Sequence, residues 1–566
     1  MKDMAITMKE RLQQLAGICR RNRLVLAIAL LSVFLIYSPH LQKGILTGSD
    51  APFHLSRMES LAAELENGTF PVKVHSMLSY GYGYGVGFFY QNHLLYIPAF
   101  LQFLGLSLEV SFKIFAAMMI AATYGLTFYG ALRITEDRYC ATLAAVAFLF
   151  SGQLLSSYYQ AFTLGSSLGM IFIPLAIAGM IEFLMKDKPP VMLAIGFLGL
   201  ACTHLISAYM TFFVCAVLLL AYGKKMVQTP KKLLQLLLAV SIVLGLSLSF
   251  WLPMWEQFRQ QIYKVSTPWT TPEEHIVTFW GLFGYDSFGW LFMIYLFVSG
   301  VLIFSRRKTI TNAKLLITLF FIAIGIIATQ LIKSFWIIAK PVAGMLQFPR
   351  RLVAVGVVVV IFMAVLLISQ WKIEGQQKKI FLIINVSIVM LYAGLSSIGN
   401  LRTEREDFTD RVLYNEIAGI GAGEEWLPIE TTREMMNAPN TATANDGTIV
   451  NGKKVSGKFT FKADLSKEYY DIPFIWYRGY KAVSNKGDVF EIDKNPETSM
   501  VRVYVEESNY SGEEEVTVWY NGTKIQKLAY VSNIMAIFGL ISVILLRPWM
   551  SKKWREKSEK SHRLVG

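Results

Sequence analysis

The residues best suited to chemistry lie just after the first apolar run, where Asp50, His54 and Arg57 follow one another at helical spacing. Side chains three and four residues apart share one face of a helix. A carboxylate beside an imidazole and a guanidinium suits proton abstraction next to a bound anion, with Asp50 and His54 as catalytic groups and Arg57 as a substrate contact. The Gly48-Ser49-Asp50 turn also fits a helix N-cap, and this alternative for Asp50 stays open.

A second group of interest is the stretch QFPRR at 347–351, which immediately precedes a long apolar run. Planar, permanently charged guanidinium groups bind phosphate or pyrophosphate well. We therefore predict that Arg350 and Arg351 bind a donor phosphate, helped by Lys340 from the same loop. The alternative is that both arginines snorkel to lipid headgroups.

Further candidates are polar or aromatic side chains in the segments that connect the apolar runs. Aromatic faces stack on sugar rings, while carboxylates and imidazoles hydrogen-bond to hydroxyl groups. In the alternative interpretation the aromatics form an interfacial anchoring belt, and an isolated histidine packs or caps a helix. The predicted substrate-binding residues, besides Arg57, are Glu59, His75, Tyr90, His204, Trp269 and His275.

The composition indicates that these residues belong to a membrane protein. Of the 566 residues, 54% are hydrophobic and only 17% are charged, which is the balance of a multi-span chain. The net charge of +14 comes largely from short basic clusters that flank apolar runs, a pattern that sets membrane topology. We therefore expect the lipid bilayer as a partner and no nucleic acid. The four cysteines imply no disulfide framework.

Runs of about 20 apolar residues predict an α-helical polytopic membrane protein with about twelve transmembrane helices. The basic clusters then all fall on one side, which predicts cytoplasmic termini and a multi-pass protein of the cytoplasmic membrane. This parity requires the run 190–222 to be a hairpin that turns near Cys202-Thr203-His204, and the run 93–105 to lie in the interface. The predicted spans are 23–41, 109–132, 139–155, 166–185, 190–204, 206–222, 232–252, 288–304, 313–330, 351–370, 379–397 and 529–546.

A long polar segment before the last span alternates apolar and polar residues at 454–465, 499–508 and 514–528. Such alternation between turn residues predicts strands, and we expect an extracytoplasmic β-sandwich. The start has no cleavage site and reads as a retained anchor. The predicted organisation is a cytoplasmic segment 1–22, a transmembrane domain 23–397 with a first outer loop 42–108, a β-rich domain 398–528, a last transmembrane helix 529–546 and a basic cytoplasmic tail 547–566.

Several motifs along the chain resemble the polytopic glycosyltransferases of the GT-C superfamily. The resemblance is closest to bacterial membrane proteins described as 6-pyruvoyl-tetrahydropterin-synthase-related, with kinship to YfhO-type proteins. No zinc-ligand cluster of histidines supports the pterin-enzyme label. The motifs are GSDAPFHLSRMESLAAELENGTFP at 48–71, GYGYGVGFFYQNHLLYIPA at 81–99, THLISAY at 203–209, LQFPRRL at 346–352, GEEWLP at 423–428 and PFIWYRGYKAV at 473–483.

The resemblance implies an extracytoplasmic active site and a polyprenyl-phosphate-linked sugar donor. Asp50 matches the acidic residue of the first outer loop, which takes the acceptor's proton as the sugar is transferred with inversion, and Arg350 or Arg351 matches the lipid-phosphate contacts. Many members carry a paired acidic motif in this loop, whereas here Ala51 and Pro52 follow Asp50. No metal site or other cofactor is predicted, because nothing in the sequence supports a divalent metal.

Two hypotheses follow. In the first, the protein is an enzyme that moves a sugar from a polyprenyl-phosphate carrier to an envelope glycopolymer or glycolipid acceptor at the outer face of the membrane. In the second, it is a non-catalytic transporter, flippase or scaffold for envelope glycans. A transporter is expected to carry ionisable residues near the bilayer midplane and related halves. Few intramembrane charges and no internal repeat are present in the sequence, which favours the enzyme.

Overall fold

The structure, a computed structural model, describes residues 22–46, 48–186, 188–371, 373–397, 405–406, 420–421, 424–505, 512–539 and 542. Most of the predicted N-terminal segment, the start of the predicted β-rich domain at 398, the end of the predicted last span and the basic tail lie outside these residues. The prediction of a mainly helical protein with a β-rich region near its C-terminus is confirmed.

Helices make up most of the chain before residue 400. They are α1 (Arg23–Tyr37), α2 (Ala51–Glu66), α3 (Val86–Phe89), α4 (Tyr96–Phe103), α5 (Leu108–Thr135), α6 (Arg138–Leu149), α7 (Gly152–Tyr159), α8 (Leu164–Met185), α9 (Val191–Ala201), α10 (Leu205–Ala221), α11 (Gly223–Val227), α12 (Pro230–Leu246), α13 (Leu248–Phe258), α14 (Gly289–Ser305), α15 (Ala313–Leu331), α16 (Lys333–Ala343), α17 (Arg351–Ile368) and α18 (Gly375–Ser397).

Six helices in the described residues are long and apolar enough to cross a membrane, or eight if each of two bent helix pairs is one span. The six are α1 with the turn that follows it, α5, α8, α15, α17 and α18. The count of about twelve is therefore not confirmed. The predicted spans do fall on helices, but α9, α10 and α14 are shorter, and the last helix begins at residue 524 and leaves the described part after 539.

The core of the helical region is built around α8 and α17, which are buried along most of their length. Both are almost wholly apolar, so a helix satisfies their backbone groups without water. At one end of this core, the Arg133 guanidinium of α5 donates to Glu182 of α8 at 2.9 and 2.5 Å, and Lys186 pairs with Glu136 at 2.6 Å. These ion pairs fix the ends of the two helices together.

Two predicted spans are broken rather than straight. Helices α6 and α7 meet at 45°, and α12 and α13 meet at 68°. At the second break the Asn533 side chain donates to the Leu246 carbonyl at 2.7 Å and accepts from the Ser249 amide at 3.0 Å. The last helix thus satisfies backbone groups that the bend frees.

The described residues form two compact units. The first consists of the residues up to Ala239, Tyr263–Pro439 and Pro473–Ile475, and the second consists of Val240–Ile262, Asn440–Ile472 and the residues from Trp476 onward.

The strands near the C-terminus close into an eight-stranded antiparallel barrel in the order β10-β5-β4-β3-β6-β9-β8-β7. A β-sandwich was expected, but β7 pairs with β10, a closure that strand alternation alone does not reveal. Alternate side chains such as Phe459, Phe461 and Val518 fill the interior. The strands are β3 (Thr441–Ala444), β4 (Ile449–Val455), β5 (Lys458–Asp464), β6 (Tyr469–Ile475), β7 (Tyr480–Ser484), β8 (Val489–Lys494), β9 (Met500–Tyr504) and β10 (Glu513–Tyr520); a separate short pair is β1 (Ile45–Leu46) with β2 (Arg405–Glu406).

Two strand predictions need correction. The stretch 454–465 is not one strand, because Ser456 and Gly457 both have positive φ (49° and 72°) and form a hairpin turn between β4 and β5. The stretch 514–528 ends as a strand at Tyr520, and the chain is helical from residue 524. Apolar alternation continues into the first turn of this helix, so the pattern did not mark the boundary.

Candidate active site

Asp50 stands at the start of α2 and is held against the turn between α7 and α8. Its amide donates to the Ala161 carbonyl at 3.1 Å. A Cβ on Gly48 would lie 2.7 Å from the Ala161 carbonyl carbon, so this close approach requires glycine. Asp50 occupies the N-cap position, but its side chain makes no capping hydrogen bond and instead accepts from the Ser49 hydroxyl at 3.1 Å.

The electrostatic surroundings of Asp50 suit a proton acceptor. Burial raises the pKa of its carboxyl, while the Ser49 hydrogen bond and the charges of Arg351 and Arg350 act in the opposite direction. The predicted carboxylate in the first loop and the predicted arginine pair therefore influence each other electrostatically. A raised pKa makes the carboxylate a stronger base than an exposed aspartate.

His54 and Arg57 lie on the same helix and converge on Tyr90. The His54 ring is 5.9 Å from the Tyr90 ring, and the Arg57 guanidinium carbon is 4.5 Å from the same ring. Both side chains are buried, and burial lowers the pKa of Arg57 to about 10 and that of His54 well below its usual value. His54 is thus a neutral imidazole at neutral pH, and its Nδ1 has no hydrogen-bond partner among the described residues.

Tyr90 contacts residues from three segments. A Cβ on Gly165 would lie 1.8 Å from the Tyr90 hydroxyl oxygen, so the hydroxyl rests against the first turn of α8. The His204 ring, at the break between α9 and α10, is 6.2 Å from the Tyr90 ring. Burial raises the pKa of Tyr90 to about 12, which keeps the hydroxyl protonated and able to donate.

His75 and His204 are both buried, and each has internal hydrogen bonds. His75 Nε2 lies 3.1 Å from the Asn92 amide nitrogen and Nδ1 lies 3.2 Å from the Ser60 hydroxyl, while Asn92 Oδ1 accepts from Arg57 at 2.7 Å. His75 therefore positions Arg57 through Asn92. His204 Nδ1 lies 2.8 Å from the Ser207 hydroxyl, and burial lowers the pKa of both histidines to about 3.

The aromatic and arginine residues of the second predicted group surround the ring of Phe348. Trp269 and His275 lie 6.0 and 4.6 Å from it between ring centroids. The guanidinium carbons of Arg350 and Arg351 lie 5.2 and 5.4 Å from its centroid. The structure therefore brings the predicted aromatic loop and the predicted phosphate site together around one side chain.

The cationic residues of this group differ in their surroundings. Arg350 is 54% exposed and pairs with Asp286 at 3.4 Å. Arg351 donates to Gln347 at 3.0 Å, but its Nη1 is buried without a hydrogen-bond partner in the described ranges. Lys340 is exposed and pairs with Glu273 at 3.6 Å, so its role toward a phosphate stays a prediction. Glu59 is half-buried on α2, and its substrate-binding role also stays a prediction.

Glu425 belongs to this site and was missed as a candidate. Its backbone carbonyl accepts from the Val265 amide at 2.9 Å. Burial and the negative charge of Asp50 raise the pKa of Glu425, and the charge of Arg351 lowers it. The available signal was the pair of adjacent acids in GEEWLP, of which only Glu424 is neutralised by its own ion pairs, with Lys264 and Arg433.

A small apolar crevice of about 20 Å³ lies behind the turn that holds Asp50. Phe162, which follows Ala161 in that turn, contributes to its wall. The other lining residues are His40, Phe112, Ala116, Met119, Ile120, Ser157, Tyr158, Leu164 and Ser167. The crevice is therefore shaped by hydrocarbon side chains from α5, α7 and α8. Within the part of the chain that the structure describes, no group of three or more His, Cys, Asp or Glu side chains is arranged to hold a metal ion.

No family model matches this chain. An uncharacterized protein of Lactococcus lactis subsp. cremoris (strain MG1363) is 25% identical over 252 residues, which are 43% of this chain and 40% of that protein. The aligned region thus spans less than half of either chain.

Several solved glycosyltransferase structures are similar at low scores. Arabinofuranosyltransferase AftD from Mycobacteria has a TM-score of 0.44 and 13% identity, covering 68% of this chain and 27% of that one. Arabinosyltransferase EmbB from Mycobacterium smegmatis has a TM-score of 0.36 and 10% identity, covering 88% and 65%. Oligosaccharyltransferase AglB from Archaeoglobus fulgidus has a TM-score of 0.32 and 13% identity, covering 70% and 56%. These TM-scores and identities are too low to establish the superfamily of this chain, so the resemblance drawn from the motifs stays a prediction.

Proposed function

We propose that the protein is a GT-C-type membrane glycosyltransferase that transfers a sugar from a polyprenyl-phosphate carrier to an envelope glycopolymer or glycolipid. The observation that supports this most is the electrostatic coupling of Asp50 with Arg351, residues that are far apart in the sequence. A base and a guanidinium that act on each other electrostatically are the two groups that such a transfer needs.

In the proposed reaction, the acceptor hydroxyl oxygen attacks the anomeric carbon of the sugar, and the bond from that carbon to the phosphate oxygen breaks. The electron pair leaves with the polyprenyl phosphate, and the acceptor proton passes to Asp50. Arg351, with Arg350 beside it, stabilises the negative charge that grows on the phosphate. Attack opposite the leaving group inverts the anomeric configuration.

The neighbours of these groups have supporting roles. His54 is neutral because burial lowers its pKa, so it assists as a hydrogen-bonding group beside Asp50 rather than as a cation. Tyr90 and His204, whose rings lie 6.2 Å apart, offer further hydrogen-bonding atoms. Arg57 stacks on Tyr90 and fixes that ring.

A lipid-linked donor also accounts for the membrane helices. A soluble enzyme would have to extract the prenyl tail from hydrocarbon at a cost of about 0.8 kcal/mol for each CH₂. In this proposal the termini are cytoplasmic, while the active site and the barrel lie outside.

The test replaces Asp50→Asn in cells and compares the envelope glycans with those of cells that lack the protein. We expect transfer to fall by roughly a factor of 10² to 10⁴, the range for loss of a general base, at unchanged protein level and membrane insertion. Asp446→Asn, which changes an exposed barrel carboxylate paired with Lys467, is the matched control. If cells with the Asp50→Asn variant had the same envelope glycans as wild-type cells, Asp50 would not be the base. A transporter, flippase or scaffold would then be favoured.

A further inference from the structure

One end of the barrel carries a tryptophan between two lysines. Trp519, near the end of β10, lies directly opposite Lys458 of β5 and Lys481 of β7. The two ammonium nitrogens are 5.7 and 5.8 Å from the centroid of the Trp519 ring. The residues beside these three along their strands are buried in the barrel interior, so the three side chains point outward. We call them the Trp519 cluster.

The positive charge of the Trp519 cluster is not neutralised by the protein. Neither Lys458 nor Lys481 has an ion pair with a carboxylate among the described residues. Other cations of the described barrel do have such partners: Lys467 pairs with Asp446, Lys486 with Glu514 and Arg502 with Asp471. Two ammonium groups without a counter-ion create a positive potential at the surface, which attracts an anion from outside the chain.

The cluster lies at the end of the barrel from which the last helix starts. Strand β10 ends at Tyr520, and the chain is helical again from residue 524. The Tyr520 hydroxyl donates to the Gln526 side chain at 2.8 Å, so this end of the barrel contacts the first turn of the helix. A helix that exposes large apolar side chains is expected to face lipid. The exposed apolar residues after this turn are Leu528, Val531, Ile534, Met535, Ile537 and Phe538.

A second apolar element reaches the first turn of the last helix. Helices α12 and α13 together are long and apolar enough to cross a membrane, and Glu256 near the end of α13 accepts from Thr523 and Gln526 at 2.8 and 3.0 Å. Beside Glu256, Trp255 is 52% exposed, and the Arg259 guanidinium carbon is 4.8 Å from its ring centroid. An exposed tryptophan and an arginine at the end of a membrane helix are typical of the headgroup layer. The last helix therefore begins at the level of the lipid headgroups.

We propose that Lys458 and Lys481, on either side of Trp519, bind the phosphate groups of anionic phospholipids and hold this end of the barrel on the membrane surface. Five residues lead from Trp519 to residue 524, and an extended chain of that length spans at most about 17 Å. The cluster therefore stays close to the headgroup layer. The proposal depends on membrane insertion of the last helix and not on the transfer reaction.

Another lysine on the same surface is an internal control. Lys462 is exposed on the same face of β5 as Lys458, and the four residues between the two positions correspond to about 13 Å along the strand, away from the last helix. Electrostatic interactions are screened within about 8 Å at physiological ionic strength. A lipid surface therefore acts on Lys458 and much less on Lys462, whereas an anionic polymer that lies along the barrel would reach both.

The experiment measures the acetylation rate of each lysine by mass spectrometry, using the full-length protein in lipid nanodiscs. One set of discs contains phosphatidylcholine alone, and the other contains equal parts of phosphatidylcholine and phosphatidylglycerol. We expect Lys458 and Lys481 to react about fivefold more slowly with phosphatidylglycerol, the factor that corresponds to about 1 kcal/mol for a lysine near an anionic surface. Lys462 should react at the same rate in both sets. High salt should abolish the difference, because it screens the lipid charge.

The proposal is overturned if Lys458 and Lys481 react equally fast in both sets of discs, or if Lys462 slows by the same factor as they do. A further arm adds inorganic polyphosphate to the discs of phosphatidylcholine alone. If polyphosphate slows all three lysines and phosphatidylglycerol slows none, this surface binds an anionic polymer and the proposal of a lipid partner is wrong.

Discussion

The pairing of charged side chains differs between the first loop, residues 42–108, and the β-barrel. In the barrel, Arg502 donates to both oxygens of Asp471 at 2.8 and 3.0 Å, and Lys486 pairs with Glu514 at 2.7 Å. In the first loop, Arg57 is fully buried, makes no ion pair with a described carboxylate, and has two nitrogens without partners in the described part of the chain.

This difference distinguishes charged residues that stabilise the fold from charged residues whose presence stability does not explain. Burying a charge without a counter-ion costs several kcal/mol, so a sequence under selection for stability alone would not place Arg57 there. Local violations of this kind are expected at functional sites. The barrel, in contrast, has matched charges and a regular apolar interior.

The largest expected effect comes from changing one arginine at the candidate site and one arginine in the barrel. Arg351→Gln should lower transfer by roughly 10² to 10³, because it removes a charge that stabilises the leaving phosphate. Arg502→Gln breaks the pair with Asp471 and should leave transfer unchanged. Rates of sugar transfer in membranes with equal amounts of each variant provide the measurement, and equal rates for both variants would contradict the different roles given to the candidate site and the barrel.

Mild acid, down to roughly pH 5, should destabilise the helical region and spare the barrel, because paired barrel carboxyls such as Glu514 have a lowered pKa and are protonated only at lower pH. Burial lowers the pKa of His75 and His204 from 6.5 to about 3, so between these values the unfolded state binds more protons and stability falls as pH drops. Each such histidine contributes about 1.4 kcal/mol per pH unit. The strands β3 to β10 contain no histidine.

Hydrogen exchange on the full-length protein distinguishes the two regions. Protection of α2 and of the start of α10 should decrease as the pH falls through about 6.5, while protection of β5 and β10 stays constant. His75→Gln should reduce the acid effect in α2. Equal loss of protection in the barrel would show that the histidines are not its cause.

Two glycine substitutions, one at the candidate site and one in the barrel, are expected to have smaller effects. Gly165→Ala would place a Cβ 1.8 Å from the Tyr90 hydroxyl oxygen, and Gly452→Ala would place one 2.3 Å from the Phe459 ring. We expect the first to displace Tyr90 and lower transfer by about tenfold, the order of one lost polar contact. The second should lower the unfolding temperature without changing the rate per folded molecule, and the reverse pattern would refute the roles given to the two rings.

The smallest effect concerns the pH dependence of transfer. Transfer requires the ionised form of Asp50, so the rate should fall on the acid side, with a midpoint above the usual pKa of an aspartate because burial raises it. Arg350 acts in the opposite direction, so Arg350→Gln should move this midpoint to higher pH. A pH–rate profile measures the shift, and a move to lower pH would exclude Asp50 as the titrating group.

Local patterns predicted much of the helical region. The start of α2 followed from the Gly48-Ser49-Asp50 turn, and the interruption between α9 and α10 followed from the parity of the basic clusters on either side of the run 190–222. The bends between α6 and α7 and between α12 and α13 were not predictable, because the groups that satisfy them, such as Asn533, come from distant helices. Closure of the barrel likewise depends on the pairing of β7 with β10.

The residues of the candidate site were likewise predicted only in part from the sequence. Asp50 and Arg351 were recognisable in the sequence because each is a charged residue at the edge of an apolar run. Glu425 did not stand out, because its neighbour Glu424 has the same chemistry and only the fold distinguishes the two. His75 looked like a surface ligand in sequence, but the Asn92 side chain covers it and turns it into a support for Arg57.

The closed barrel also limits what this part of the molecule can bind. Each of its eight described strands has a neighbour on both sides, so the barrel offers no free strand edge to an incoming chain. Capture of an extended polypeptide by strand addition is therefore closed to this part of the molecule. Recognition there must rely on side chains such as Trp519, which Lys458 and Lys481 flank at 5.7 and 5.8 Å.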